Sequence, residues 1–179
     1  MKGIVFTEFL DMVEQEFGYD VVDHILESSD LPSNGIYTAV GTYHHSEIVT
    51  LLTKLSKKTE MDPEALLKAF GGYLFDTFLK QYPQFFEAHT HAFTFLESID
   101  NHIHVEVQKL YPEATLPKFE TITTDAGDLV MTYTSERKMA SLALGLIEKS
   151  TTHYGHESEI KMDQISGDGT VVKFTISCK

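Results

Sequence analysis

The chain has 179 residues and a formal net charge of −13 at pH 7, with 42% hydrophobic and 23% charged residues. That length supports one well-cored domain, and the acidic balance argues against nucleic acid or an anionic membrane as a partner, since both need basic surface. A single cysteine, Cys178, excludes an internal disulfide or a cysteine-built metal cage, and no apolar run approaches the ~20 residues that span a bilayer.

The opening Met1 to Glu8 lacks a long apolar core followed by a small-residue cleavage site. No signal peptide is read, and the expected location is cytoplasmic. Phe6, Phe9, Leu10, Val13 and Phe17 recur at helical spacing, and Gly18 is placed to stop that helix. Val21, Val22, Ile25 and Leu26 predict a second short helix, broken near Pro32. Residues 33–44 read as loop, and Ser46 is the expected cap of a helix through Ile48, Leu51, Leu52 and Leu55. Asp62-Pro63 opens the next helix, with proline at the first position, where a missing N–H is no loss. It runs through Leu66, Leu67, Phe70, Leu74, Phe75 and Phe78 and stops before Pro83.

Phe93, Leu96, Ile99, Ile103, Val107 and Leu110 predict one long helix from about Thr90 to Leu110, ended by Pro112. The period then changes to two. Phe119–Thr124 and Leu129–Thr134 flank Asp125-Ala126-Gly127-Asp128 as a hairpin. A helix follows from about Arg137 to Ser150, and a second hairpin pairs Ser158–Ile165 with Thr170–Ile176. The pattern predicts an α+β fold in a single domain over 1–179. A mainly helical N-terminal lobe, about 1–60, packs on a part of about 61–179. The latter holds a four-stranded antiparallel sheet with one inserted helix.

Tyr133, Ser135 and Arg137 follow the strand pattern at i, i+2 and i+4, a spacing that puts all three on one face. A phenol, a hydroxyl and a guanidinium all donate hydrogen bonds, and the guanidinium fork suits carboxylates. On its own this also reads as the solvated face of an ordinary strand end. The pairs His89/His91 and His102/His104 resemble metal-binding pairs, but i and i+2 on a helix are about 200° apart and cannot converge on one ion. His89 and His91 are expected at the surface. Apolar neighbours slightly favour His104 as the inward member of its pair, although spacing alone reads more simply as a hydrogen-bonded core histidine. One imidazole ligand plus a two-carboxylate clamp is the set that a haem requires. Twelve Phe and eight Tyr offer an interior able to line such a flat ligand.

His104, then Tyr111-Pro112, Pro117 and Tyr133-x-Ser135-x-Arg137, together resemble the haem–nitric oxide/oxygen binding (H-NOX) family, which includes the sensor domain of soluble guanylate cyclase. Met1-Lys2-Gly3, Gly18-x-Asp20-Val21-Val22, Lys138-Met139 and Gly145-Leu146-Ile147-Glu148 match as well, so the resemblance spans the whole chain. It implies a haem b, iron protoporphyrin IX, buried between the lobes. His104 would be the proximal ligand, Tyr133, Ser135 and Arg137 would bind the propionates, and Pro117 would press on the macrocycle, one lever on iron chemistry.

Members of the family that bind O2 carry a distal tyrosine nine residues after the first tyrosine of the clamp; here that position is Leu142. Leu74 and Phe9 take the supporting polar and tryptophan positions of those members, and Val5, Phe78 and Leu146 complete an apolar pocket. The resemblance therefore implies a sensor, not an enzyme, selective for NO with CO as surrogate. NO would weaken the bond to His104 and let its helix shift. The expected effector acts in trans, a histidine kinase before a diguanylate cyclase, with NO inhibiting autophosphorylation. The competing readings are an O2 sensor, a peroxidase-like haem enzyme, a haem-free dicarboxylate binder and a metal site on the histidine pairs. The apolar distal set opposes the peroxidase, which needs an acid/base and an arginine near iron.

Overall fold

The computed structural model describes residues 1–178. Helix α1 (Gly3–Phe17) ends at Gly18, whose φ of 88° suits glycine, and α2 (Tyr19–Glu27) follows at once. Helix α3 (His45–Thr59) starts two residues earlier than a cap at Ser46 predicts. His44 is the cap, its Nδ1 accepting the Ser46 N–H at 3.3 Å. Helix α4 (Pro63–Gln81) begins as expected, with the Asp62 carboxylate accepting the Ala65 N–H at 3.0 Å.

The single long helix predicted from about Thr90 does not form. A short helix α5 (Pro83–Glu87) precedes it, and α6 (Ala92–Ser98) passes into a π-helical turn, Ile99–Ile103, before α7 (His104–Leu110). In that turn the His104 N–H reaches back five residues to the Ile99 carbonyl.

Strands β1 (Lys118–Thr123), β2 (Leu129–Thr134), β3 (Ser158–Gln164) and β4 (Val171–Cys178) make one antiparallel sheet in the order β1-β2-β4-β3. Helix α8 (Ala140–His153) is inserted between the two hairpins. The fold is α+β, as the periodicity predicts.

The buried residues form two clusters. One gathers Phe6, Phe9, Ile25, Leu51, Phe70 and Leu74 from α1 to α4; the other gathers Phe75, Phe95, Leu129, Met131, Tyr133 and Phe174 around the sheet. Phe78 and Leu146 pack against both. Helices α4 and α8 cross backbone to backbone: a Cβ on Gly145 would overlap the Lys68 carbonyl, and one on Gly71 the Leu142 carbonyl. Glycine at both crossings permits this approach.

Candidate functional site

His104 begins α7, immediately after the π turn. Its side chain is 16% exposed, whereas His102 lies at the surface, so the apolar-neighbour preference picks the inward residue. The two rings diverge, His102 toward Phe85 at 6.1 Å and His104 toward Phe119 at 5.9 Å. His89 and His91 are half-buried rather than exposed: His89 packs edge-on against Phe95 at 5.9 Å, and Nδ1 of His91 accepts the Phe93 N–H at 3.1 Å and caps α6.

Asp100, four residues before His104, places Oδ1 3.4 Å from His104 Nδ1. A carboxylate only accepts, so the imidazole must carry its proton on Nδ1 and present the Nε2 lone pair. Burial pulls the His104 pKa below its ordinary value, and the Asp100 contact opposes that in part. The imidazole is therefore neutral near pH 7, the form that ligates a metal. The same Asp100 Oδ1 accepts the Phe119 N–H at 3.2 Å. Sequence reading missed Asp100; the i, i+4 spacing to a candidate ligand was the available signal.

The Phe119 ring stands between the two predicted groups, 5.9 Å from His104 and 5.6 Å from Tyr133. Phe119 and Tyr133 are direct partners across β1 and β2. Tyr133 is 3% exposed, and its hydroxyl accepts the Met139 N–H at 3.1 Å, leaving its proton to donate.

Only Tyr133 of the three clamp residues lies on the strand, so the single-face arrangement at i, i+2 and i+4 needs correction. Strand β2 ends at Thr134, and the chain turns through residues 135–138 with Lys138 at φ 57°. The Ser135 N–H still bonds the Thr170 carbonyl at 2.9 Å; its hydroxyl then accepts the Arg137 N–H at 3.2 Å. The turn folds Arg137 back over the loop after α7, where its guanidinium donates to the Thr115 carbonyl. Burial lowers the Arg137 pKa, and among the described residues no carboxylate pairs with it. A half-buried cation with open N–H groups, beside a phenol and a hydroxyl free to donate, suits an anionic ligand. Pro117 is half-buried one residue before β1.

Phe9 and Leu74 are buried in the N-terminal cluster, with Val5, Phe78, Leu142 and Leu146 packed against it. Tyr37, Tyr43 and Tyr73 also pack there, and each hydroxyl has a partner elsewhere. Tyr37 donates to Glu47 at 3.0 Å, Tyr43 accepts from the Thr38 N–H at 2.9 Å, and Tyr73 accepts from Gln15 at 2.9 Å. Burial pushes the Tyr37 phenol up to about 12.

The donor set fits a haem. It offers one neutral imidazole with a free ring nitrogen, an anion clamp across one phenyl ring from it, and a separate apolar wall. Among the described residues no group of three or more metal-ligating side chains converges. Among the described residues no helix is long and apolar enough to cross a membrane.

The family model described as Haem-NO-binding matches residues 2–162. The unliganded Fe(II) H-NOX protein from K. algicida is 43% identical, with a TM-score of 0.95 over 100% of this chain and 97% of that one. The Shewanella woodyi H-NOX, solved with IWP-051 in the Fe(II)CO state, is 38% identical, with a TM-score of 0.83 over 99% and 94%. The S. oneidensis H-NOX in the Fe(II)NO state is 26% identical, with a TM-score of 0.91 over 100% and 99%. No curated protein sequence matches. The chain belongs to the haem-NO-binding (H-NOX) family of haem-based gas-binding sensor domains.

Proposed function

We propose that this domain carries haem b and senses NO selectively, with CO as a surrogate ligand. It acts in the cytoplasm on a separate effector, a histidine kinase before a diguanylate cyclase. A bound haem would supply a ferrous iron able to take up a diatomic gas. His104 would hold that iron through Nε2, with Asp100 fixing the tautomer and ring plane. Tyr133, Ser135 and Arg137 would bind the propionates, and Pro117 would border the macrocycle.

One observation carries the choice of NO over O2: Val5, Phe9, Leu74, Phe78, Leu142 and Leu146 are all apolar, so none of these side chains can donate a hydrogen bond to a bound gas. O2 on ferrous iron gains charge and needs a hydrogen-bond donor beside it, whereas NO and CO do not. Distal donors are the protein's means of retaining O2, and this wall offers none. The same lack of a distal acid/base favours a sensor over a peroxide-using enzyme.

The output runs through this chain's own bonds. Asp100 Oδ1 touches both His104 and the Phe119 N–H, so a displaced imidazole disturbs the start of β1. The test is Leu142→Tyr. A phenol in the wall adds one hydrogen bond to a charged acceptor, about 1.5–3 kcal/mol, and raises O2 affinity roughly 10- to 100-fold. O2 binding by the unmodified protein, or no gain in the variant, would contradict the reading.

A further inference from the structure

Lys2 is 12% exposed at its side chain, low for a lysine. Its backbone is fixed to the 39–43 segment: Lys2 bridges Thr42, the Gly3 N–H donates to the Gly41 carbonyl at 2.8 Å, and the Tyr43 N–H donates to the Met1 carbonyl at 3.0 Å. The ammonium donates to the Val40 carbonyl at 2.9 Å and the Thr42 hydroxyl at 3.2 Å. It also sits 4.3 Å from the centroid of the Tyr111 ring and 3.6 Å from a Glu113 carboxylate oxygen.

Those last two residues directly follow α7, the helix that His104 begins. One ammonium thus joins residues 40–42 to residues 111–113. Arg137 also holds the same loop, through the Thr115 carbonyl. A lysine held over a ring face by several contacts at once binds more firmly than a lone exposed ion pair. The four-carbon stem lets the contact stretch before it breaks.

We propose that Lys2 is a positioning residue: it clasps the segment after the His104 helix to the N-terminal lobe, so that helix and lobe move as one. The inference deepens the reading of His104 as the iron ligand and rests on it. Without the clasp, residues 105–117 open independently of the core.

Amide hydrogen exchange on the haem-loaded protein tests this with Lys2→Met, Lys2→Arg, Tyr111→Leu and the Lys2→Met/Tyr111→Leu pair. Lys2→Met is expected to speed exchange over residues 105–117 about tenfold while β2 and β4 stay protected. Lys2→Arg retains protection, because a guanidinium also stacks on a ring. The double variant exchanges no faster than the faster single one, since both break one contact. The iron–histidine stretching band of the reduced protein should shift in Lys2→Met and return in Lys2→Arg.

Unchanged exchange over 105–117 in Lys2→Met would overturn the clasp. So would a uniform rise across the chain, which marks a general contribution to folding. His104→Gly reads the underlying assignment separately. An iron–histidine band that survives there sinks the ligand reading, while the exchange comparison still decides the clasp.

Discussion

Asp100 Oδ1 serves two partners, the His104 imidazole and the Phe119 amide, and that sharing is the smallest unit of the mechanism. Removing the carboxylate leaves the Phe119 N–H without its acceptor in a half-buried place. Asp100→Ala should therefore lower stability by about 1–3 kcal/mol in urea unfolding. Asp100→Asn keeps an acceptor oxygen for Phe119 and should lose less. A neutral Asp100→Ala would mean that solvent replaces the contact. The inward turn of His104 was legible in its apolar neighbours. Asp100 was not read, although its i, i+4 spacing to His104 was the one signal the sequence offered. Ser135 and Arg137 were read as strand residues, since alternation continues past Thr134 in the sequence. Nothing in the pattern reports that the Ser135 hydroxyl will take up the Arg137 N–H and start a turn.

At the scale of elements, the π turn decides which way His104 points. Its extra residue shifts the hydrogen-bond register by one, from four residues back to five. Deleting Asn101, which is exposed, should restore α-helical bonding and preserve folding, leaving α7 in line with α6 but removing the wide turn from which His104 projects. Haem retention should then fall sharply, read as loss of Soret absorbance per protein. A deletion variant that holds haem as well as the parent would show that the turn does not orient the ligand. The apolar period across Phe93, Ile99 and Leu110 fits one continuous helix, which is why the interruption was invisible. Both hairpins and the inserted helix were legible, because period-two alternation and turn residues coincide there.

For the molecule as a whole, the α4–α8 crossing joins the two apolar clusters. Gly145→Ala pushes a methyl into the Lys68 carbonyl, so the helices must separate. Overpacking of this kind should destabilise the protein by about 1–3 kcal/mol, visible as a lowered thermal midpoint. An unchanged midpoint would mean the helices slide apart freely, and the clusters would be less tightly joined than the backbone contact implies. The net charge of −13 sets the expectation for an effector: its docking surface should be basic, and association should weaken as salt rises. Such salt dependence is measurable by titrating a candidate kinase. The two clusters, the bridging Phe78 and Leu146, and the clasp by Lys2 all depend on contacts between residues far apart in sequence. Periodicity carries no information on them.

The most direct measurement is the visible spectrum of the purified, reduced protein before and after O2, and separately NO. A haem spectrum untouched by O2 and shifted by NO is the expected result, and it follows from the proposed ligation by His104 and the proposed apolar distal wall. A stable spectral change with O2 would contradict that reading of Leu142 and its neighbours.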